Sequence, residues 1–557
     1  MPKTFFITTA IDYTNSPPHI GHAYEKVLAD VIARYHRLKG DKVFFLTGVD
    51  QHGQKVQQSA AKAGVPPAEF VKEITQKFVD LWKKLDVYYD EWAETTSERH
   101  KKVVQGILQR LWDEKDPTTG ESHWIYKAKQ AGYYSVRQEQ FLTDKERGPD
   151  GEFGPEWGQI EFREEENYYF RLSQHKDWLL SYIDNRKDAV IPDFRQTELR
   201  NAVEKLSGDL CISRPKSRLD WGIELPFDKD FVNYVWFDAL TNYISFAGYD
   251  PRDGNYAKQP QEFRDRWSKD TLQIIGKDIL VPAHGIYWPI MLHALDFPDE
   301  AMPQLLVHGW WNLGGAKMSK SAGNIVDPFT LIEKYGADAL RYYLLSEIGT
   351  GGDADFSEER LVIRYNADLA NSVGNLLNRT LTMVAKYQDN RIAFPQGDWL
   401  HNPDERSTES YAQHIFKQIG AYKSHMSEGR TLPITFPITF GPFVANAAIG
   451  NILAILDQAN TLVESAAPWK LAKGLDKVSK VKLNSVLYAL SETLRVVAIL
   501  ISPVLPAAAH GIFDQLKWKI ELGGKEERFS LADAEWGKLP NGHVVGKPVP
   551  LFPRIES

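Results

Sequence analysis

The first fifty residues constrain the fold more than any other stretch. Residues 5–11 are a run of apolar and β-branched types (Phe, Phe, Ile, Thr, Thr, Ala, Ile), and Asn15, Ser16, Pro17 and Pro18 break it. Over residues 21–38, Val27, Leu28, Val31, Ile32 and Tyr35 recur at helical spacing; Gly40 stops the helix, and residues 42–47 read as a second strand. Strand, crossover helix and strand imply a parallel sheet with a nucleotide site at the carboxyl ends of its strands. Pro18-His19-Ile20-Gly21-His22 falls at the strand-to-helix junction. Backbone N–H groups and the helix dipole favour phosphate there.

A second motif, Lys317-Met318-Ser319-Lys320-Ser321, lies on a loop flanked by Gly314, Gly315 and Gly323. Alone, each motif has a bland reading: a packed strand–helix turn, or a solvated lysine pair. Together, in this order and in an α/β context, they offer two cationic clamps. An enzyme that attacks an α-phosphate must hold the departing pyrophosphate from both sides, and such catalysis is mostly positioning and charge stabilisation.

The rest of the chain sets bounds. A length of 557 residues suggests about three or four domains. The one cysteine, Cys211, excludes an intrachain disulfide and a cysteine-cluster zinc site, and fits a reducing, cytoplasmic setting. The N-terminus has no secretory pattern, and the apolar runs read as too short or too interrupted to span a bilayer. A net charge of −8 argues against general coating of nucleic acid but leaves room for a local basic patch. Residues 116–228, opened by Asp116-Pro117-Thr118-Thr119-Gly120, read as a hairpin-rich insertion between two α/β halves, 1–115 and 229–325. The second half holds the apolar stretch 272–275, expected to be a strand. A connection over 326–360 leads to a helical part, 361–557, with periodic stretches at 361–387, 443–465 and 481–501.

With its two motifs the chain resembles the class I aminoacyl-tRNA synthetases, whose signatures are HIGH and KMSKS. Further stretches resemble the methionyl-tRNA synthetases in particular: Thr8-Thr9-Ala10-Ile11-Asp12-Tyr13, Thr47-Gly48-Val49-Asp50-Gln51-His52-Gly53, Leu210-Cys211-Ile212-Ser213-Arg214-Pro215, Tyr234-Val235-Trp236-Phe237-Asp238-Ala239-Leu240 and Ile275-Gly276-Lys277-Asp278-Ile279. The similarity runs over essentially the whole chain. It implies an α/β fold: a Rossmann-type parallel-sheet catalytic domain, an inserted connective module that meets the tRNA acceptor end, a stem-contact connection, and an all-α anticodon-binding bundle. It also implies two steps. A methionine carboxylate attacks the α-phosphate of ATP, and a terminal ribose hydroxyl of tRNA(Met) then attacks the acyl carbon of the adenylate.

On this resemblance the catalytic groups are His19, His22, Lys317 and Lys320; Gly21, Lys277 and Ser319 join them around ATP, with Mg²⁺ bridging the phosphates. The expected methionine site is Ala10, Ile11, Tyr13, Trp236, Ala239, Leu240, Tyr243, Asp278 and Ile279, with His284 near its end. Aromatic walls suit a polarizable thioether. Tyr243 would donate to the sulfur, Asp50 would face the α-ammonium and Arg214 would stand near the carboxylate. Asn375 and Arg379, spaced i, i+4, share one helix face, with Leu369, Val373, Leu376, Leu377 and Val384 free to take the buried side. With Trp469, ahead of Lys470, Lys473, Lys477, Lys480 and Lys482, they would read the CAU anticodon by hydrogen bonding and stacking.

Two features depart from the family. Asp12 stands where Pro or Tyr is usual, without an assigned role. Many members carry Cys-x-x-Cys zinc knuckles in the insertion, whereas Ser135 and Gln138 stand here, so no zinc is expected. The expected protein is cytoplasmic, without membrane contact, and a monomer. The alternatives are another class I ligase, a tRNA-binding paralogue without catalysis, and a small-molecule nucleotidyltransferase. The insertion is short for the editing module of the branched-chain ligases, and the cysteine ligase needs a cysteine-ligated zinc.

Overall fold

The structure, a computed structural model, describes residues 3–135, 140–142, 144, 147–148, 150–318, 323–394, 445–518 and 529–556. Gln138, Ser319, Lys320 and Ser321 lie outside the described residues.

Thr4–Thr9 is the strand on which the sheet is built. It is buried on both faces, as a near-continuous apolar run requires in a parallel sheet. It pairs in parallel with Lys42–Asp50 (Ile7 opposite Phe45) and with Leu272–Gly276 (Ile7 opposite Leu272). Asp12–Tyr13 and Glu91–Glu94 also pair with Lys42–Asp50, while Gln304–His308 and then Val190–Ile191 extend the other side, giving seven parallel strands. The strand expected over 5–11 divides: it ends at Thr9, with a last bond from the Ala10 N–H to the Ile274 carbonyl (3.0 Å), and Asp12–Tyr13 resumes along Lys42–Asp50. The chain passes from Thr4–Thr9 to one neighbour through the Ile20–Lys39 helix and reaches the other neighbour only at Leu272. That reversal opens a crevice at the strand carboxyl ends. Gly40, at φ 95°, closes the helix as a left-handed cap.

Ile125–Ser135 and Ile160–Phe170 form a long antiparallel pair, flanked by Gln140–Leu142 and Leu210–Cys211. This is the hairpin-rich insertion, and it is stitched to the main sheet. The helices Lys176–Asn185 and Asp193–Glu204 bracket Val190–Ile191, which adds to Gln304–His308. A two-residue strand is too short to carry any periodicity.

The helical part holds Glu358–Arg364, Tyr365–Gly374 and Asn375–Gln388 in succession, then Ala445–Ala466, Lys477–Ile501 and Pro506–Leu516. Contrary to expectation, Lys477–Ile501 is long and apolar enough to cross a membrane by length and composition; 94% of its apolar window is buried inside the protein. Its apolar surface thus faces other helices.

Arg341, on the Ala337–Ser346 helix, locks the bundle to the sheet. Its fully buried guanidinium reaches Asp30 Oδ2 (2.7 Å), the Leu85 carbonyl (3.0 Å) and the carbonyls of Pro503 (2.7 Å) and Val504 (2.9 Å). Replacing Arg341 by Met would take one of two guanidinium partners from Asp30, which keeps Arg34 and the Tyr88 N–H, and would remove the guanidinium donor from the three carbonyls. Breaking a buried pair on one side costs about 3–5 kcal/mol. Urea unfolding of Arg341→Met should show that loss, and Arg341→Lys, which keeps the charge but not the planar fork, should recover part of it. A loss below about 1 kcal/mol for Met, the scale of an exposed pair, would contradict the locking role.

Candidate functional site

Four segments wall a cavity of about 380 Å³ at the carboxyl ends of Thr4–Thr9 and Leu272–Gly276. Ala10, Ile11 and Tyr13 come from the point where the chain leaves the first strand. Trp236, Ala239, Leu240 and Tyr243 lie at i, i+3, i+4 and i+7 on one face of the Val235–Ser245 helix. Asp278, Ile279 and His284 follow the Leu272–Gly276 strand, and Asp50 ends Lys42–Asp50. The expected cavity residues thus meet in space, with one exception. Arg214 is buried in the hairpin of Ser213–Pro215 and Phe231–Asn233. It donates to the Ser213 carbonyl (2.7 Å) and stacks 4.2 Å from the Tyr234 ring. It backs Tyr234, which lines the cavity, instead of lining it.

Tyr243 corrects a second expectation. Its hydroxyl lies 2.7 Å from His284 Nε2, and His284 Nδ1 lies 3.0 Å from the Ile279 carbonyl. A carbonyl only accepts, so Nδ1 carries the ring proton. Burial pushes the His284 imidazole down to about 4, which leaves Nε2 an acceptor. Tyr243 therefore donates to His284, not into the cavity.

Asp50 sits over a buried chain of titratable groups. Asp238 joins His52 Nδ1 and His100 Nε2, each at 2.7 Å, and His100 Nδ1 lies 2.8 Å from Ser245 Oγ. Burial alone would raise Asp238, but the two imidazoles outweigh it and hold the carboxyl at about 2. Burial, and then the charge of Asp238, push Asp50 well above the usual carboxylate range; its nearest donors, Thr95 Oγ1 and the His52 N–H, stand 3.4 Å away. Asp50 is a carboxyl in want of a cation.

The histidine turn is built by its own backbone. His19 caps the Ile20–Lys39 helix: its Nδ1 accepts from the Gly21 N–H (3.0 Å), while the His19 N–H donates to His22 Nδ1 (3.1 Å). With both Nδ1 atoms accepting, the neutral rings carry their protons on Nε2. A Cβ at Gly21 would lie 2.8 Å from His19 Cε1, so only glycine admits this ring. Burial, with His19 and Lys26 nearby, lowers the His22 imidazole well below its ordinary value.

Beneath the turn, Lys26 is fully buried and donates to Asp12 (2.9 Å), Glu25 (2.8 Å) and the Ala10 carbonyl (2.8 Å). Glu25 reaches His308 Nε2 at 3.0 Å. This gives Asp12 a partner. Burial lifts its carboxyl to about 7, and its Oδ2 has no hydrogen bond.

The lysine loop is anchored across the crevice. Met318 is buried in the core that contains Val27 and Val31, and the Ile20 N–H donates to the Val326 carbonyl (3.2 Å). Lys317 pairs with Asp278 at 3.1 Å, and Lys277 with Asp353 at 2.6 Å. Lys320 and Ser319 fall outside the described residues.

On the bundle, Asn375 and Arg379 share a solvent-facing side of Asn375–Gln388, while Leu369, Val373, Leu376, Leu377 and Val384 are buried. Arg379 pairs with Glu464 (2.7 Å) and lies 6.0 Å from the ring of Trp469, which is 37% exposed. Sequence reasoning missed Lys55, Tyr234 and Val235 in the cavity wall, and also Lys26, Trp310 and Asp353. Tyr234 and Val235 stand in the same stretch as Trp236; the others carry no local signal.

A family model described as tRNA synthetases class I (M) matches residues 5–150 and 157–381. The methionine–tRNA ligase of Listeria monocytogenes serotype 4b is 38% identical over 561 residues, covering 100% of this chain and 78% of that protein. The one of Caldanaerobacter subterraneus is 39% identical over 558 residues, covering 100% and 80%. A structure of Mycobacterium tuberculosis methionyl-tRNA synthetase in complex with methionyl-adenylate aligns with a TM-score of 0.85 at 34% identity, over 99% of this chain and 100% of that one.

The histidine turn makes a direct prediction. In ¹⁵N NMR spectra His22 should appear as the neutral, Nε2-protonated tautomer, with no titration near pH 6.5. A midpoint near 6.5, or proton occupancy at Nδ1, would refute the capping assignment.

Proposed function

The chain belongs to the class I methionyl-tRNA synthetases, and from that premise we propose which of its residues carry each step. It attaches methionine to tRNA in an ATP-dependent reaction that passes through methionyl-adenylate.

Methionine enters the cavity with its thioether among Tyr13, Trp236 and Ile279, where polarizable aromatic contact suits sulfur. Asp50 takes the α-ammonium. That cation supplies the charge the buried carboxyl lacks, and its arrival draws Asp50 to the ionised form. The co-location of this cation-seeking acid and an apolar helix face in one cavity carries the reading. Arg214 acts behind Tyr234 instead of on the carboxylate.

In the first step a methionine carboxylate oxygen bonds to the α-phosphorus. The bond to the pyrophosphate oxygen breaks, and its electron pair leaves with pyrophosphate. His19 and His22 present Nε2–H donors to the five-coordinate phosphate, at a helix start that already favours anions. Gly21 makes room for the His19 ring. Lys277 and Lys317 take the β- and γ-phosphates, with Lys320 and Ser319 from the loop beyond the described residues. Mg²⁺ enters as the ATP complex. Among the described residues no cluster of three or more His, Cys, Asp or Glu is placed to hold an ion, and the triphosphate oxygens are suitable ligands.

In the second step a ribose hydroxyl at the tRNA terminus attacks the acyl carbon, and AMP leaves. The insertion closes over that terminus, the 326–360 connection meets the stem, and Asn375, Arg379 and Trp469 read the CAU anticodon. Arg379 exchanges Glu464 for a base, and Trp469 stacks on one. The insertion does this without zinc. Where a metal knuckle would need a ligand, Ser135 Oγ donates to the Trp157 carbonyl (2.6 Å), and Cys211 is the chain's one thiol. The enzyme works in the cytoplasm as a monomer, away from membranes.

Two variants separate the sites. Asp50→Asn should raise the methionine KM in ATP–pyrophosphate exchange by about 10–100-fold, the value of a charge-assisted bond, and leave the ATP KM within twofold or so. An unchanged methionine KM would remove Asp50 from the site. Trp469→Ala should slow tRNA charging by roughly 5–100-fold, the loss of one base stack, and leave exchange intact. Equal loss of both activities would count against the anticodon reading.

A further inference from the structure

Lys277 and Lys317 meet on one indole. The Lys277 ammonium lies 4.1 Å from the centroid of the Trp310 ring, and the Lys317 ammonium 3.8 Å from it. Each also holds a carboxylate, Asp353 for Lys277 and Asp278 for Lys317. Trp310 bonds both acids: its backbone N–H donates to Asp353 Oδ1 (2.9 Å) and its indole N–H to Asp278 Oδ1 (3.2 Å). The arrangement needs Gly309, because a Cβ there would overlap the Gly352 carbonyl and lie 2.5 Å from Asp353 Oδ1.

The five groups come from four separate places in the chain. Asp278 also lines the cavity, so the cluster adjoins it through that residue. Lys317 and Asp278 are both about half exposed, so their pair contributes little to folding. A cluster that does little for stability and gathers two cations on a rigid ring is suited to receive an anion.

We propose that Trp310 is the positioning residue for the two lysines that receive the triphosphate, and that Asp278 and Asp353 are the counter-ions the triphosphate displaces. An ammonium has three N–H donors, so it can keep the indole face while a phosphate oxygen replaces a carboxylate oxygen. The ring spares the lysines a search through their rotamers when ATP arrives. Asp278 and Asp353 hold the two ammonium groups in place until then, and their bonds to Trp310 keep both acids beside the lysines they release. The inference rests on the reading of Lys277 and Lys317 as triphosphate ligands.

ATP–pyrophosphate exchange on the full chain tests it. Trp310→Leu should raise the ATP KM by about 5–30-fold, the value of two exposed cation–π contacts, with the methionine KM unchanged. Trp310→Tyr should restore most of the loss. Asp353→Asn keeps an acceptor for the Trp310 N–H and removes the competing charge, so it should lower the ATP KM by about 2–5-fold. Equal defects in Trp310→Leu and Trp310→Tyr, a parallel rise in the methionine KM, or a higher ATP KM in Asp353→Asn would each overturn the proposal. Lys277→Ala and Lys317→Ala separate the two levels. If they lose exchange while Trp310→Leu matches the parent, the positioning role alone falls; if they do not, the lysine reading falls with it.

Discussion

The Arg341 guanidinium sets how the two functional ends of this molecule face each other. It is fully buried, and its planar fork is matched to one carboxylate and three carbonyls from the first catalytic helix, the segment after Lys84 and the turn at Pro503–Val504. Burying a charge is costly, and the cost is offset only when its donors are satisfied together. Such a contact specifies geometry more than it adds stability. The Ala508 N–H donates to Asp338, one turn away on the same helix, and doubles the lock. The bundle cannot rotate against the sheet without stranding these groups, so the face with Arg379 and Trp469 is held in fixed relation to the cavity.

Within the catalytic half, buried charges are arranged in chains, and each chain ends at a functional segment. Lys26 stands between Asp12 and Glu25 and holds the Ala10 carbonyl where the chain leaves the sheet. Glu25 carries the chain on to His308, two residues before Trp310. His100 and His52 both hydrogen-bond Asp238, while Asp50 in the cavity wall has only two donors, each 3.4 Å away, and lies under the charge of Asp238. Low dielectric makes each of these groups dependent on its neighbours, which is how a site is kept ready before its substrates arrive.

Much of this was legible in the chain. The strand–helix–strand pattern placed the histidine turn at a strand carboxyl end, and the quoted stretches named nearly the whole cavity wall. Arg214 and Tyr243 have partners here that their sequence did not announce, for a shared reason: a residue type announces which bonds it can make, not which partner stands closest. Tyr243 found His284, and Arg214 found the Tyr234 ring. Trp310 and Asp353 gave no signal, because their meaning comes from two lysines that are distant in sequence. Val190–Ile191 was invisible as a strand, since two residues have no period.

The sequence by itself determined the sheet's parallel sense, the position of both cationic motifs, the burial of the bundle's apolar stripe and the absence of cysteine ligands. These follow from local spacing and residue chemistry, which act over a few residues. Only the tertiary structure decided the protonation and orientation of the site. Whether Asp50 wants a cation, which nitrogen of His19 faces outward and where Lys317 waits all depend on burial and on partners brought together by folding, and electrostatic interactions in a dry interior are set by distance in space.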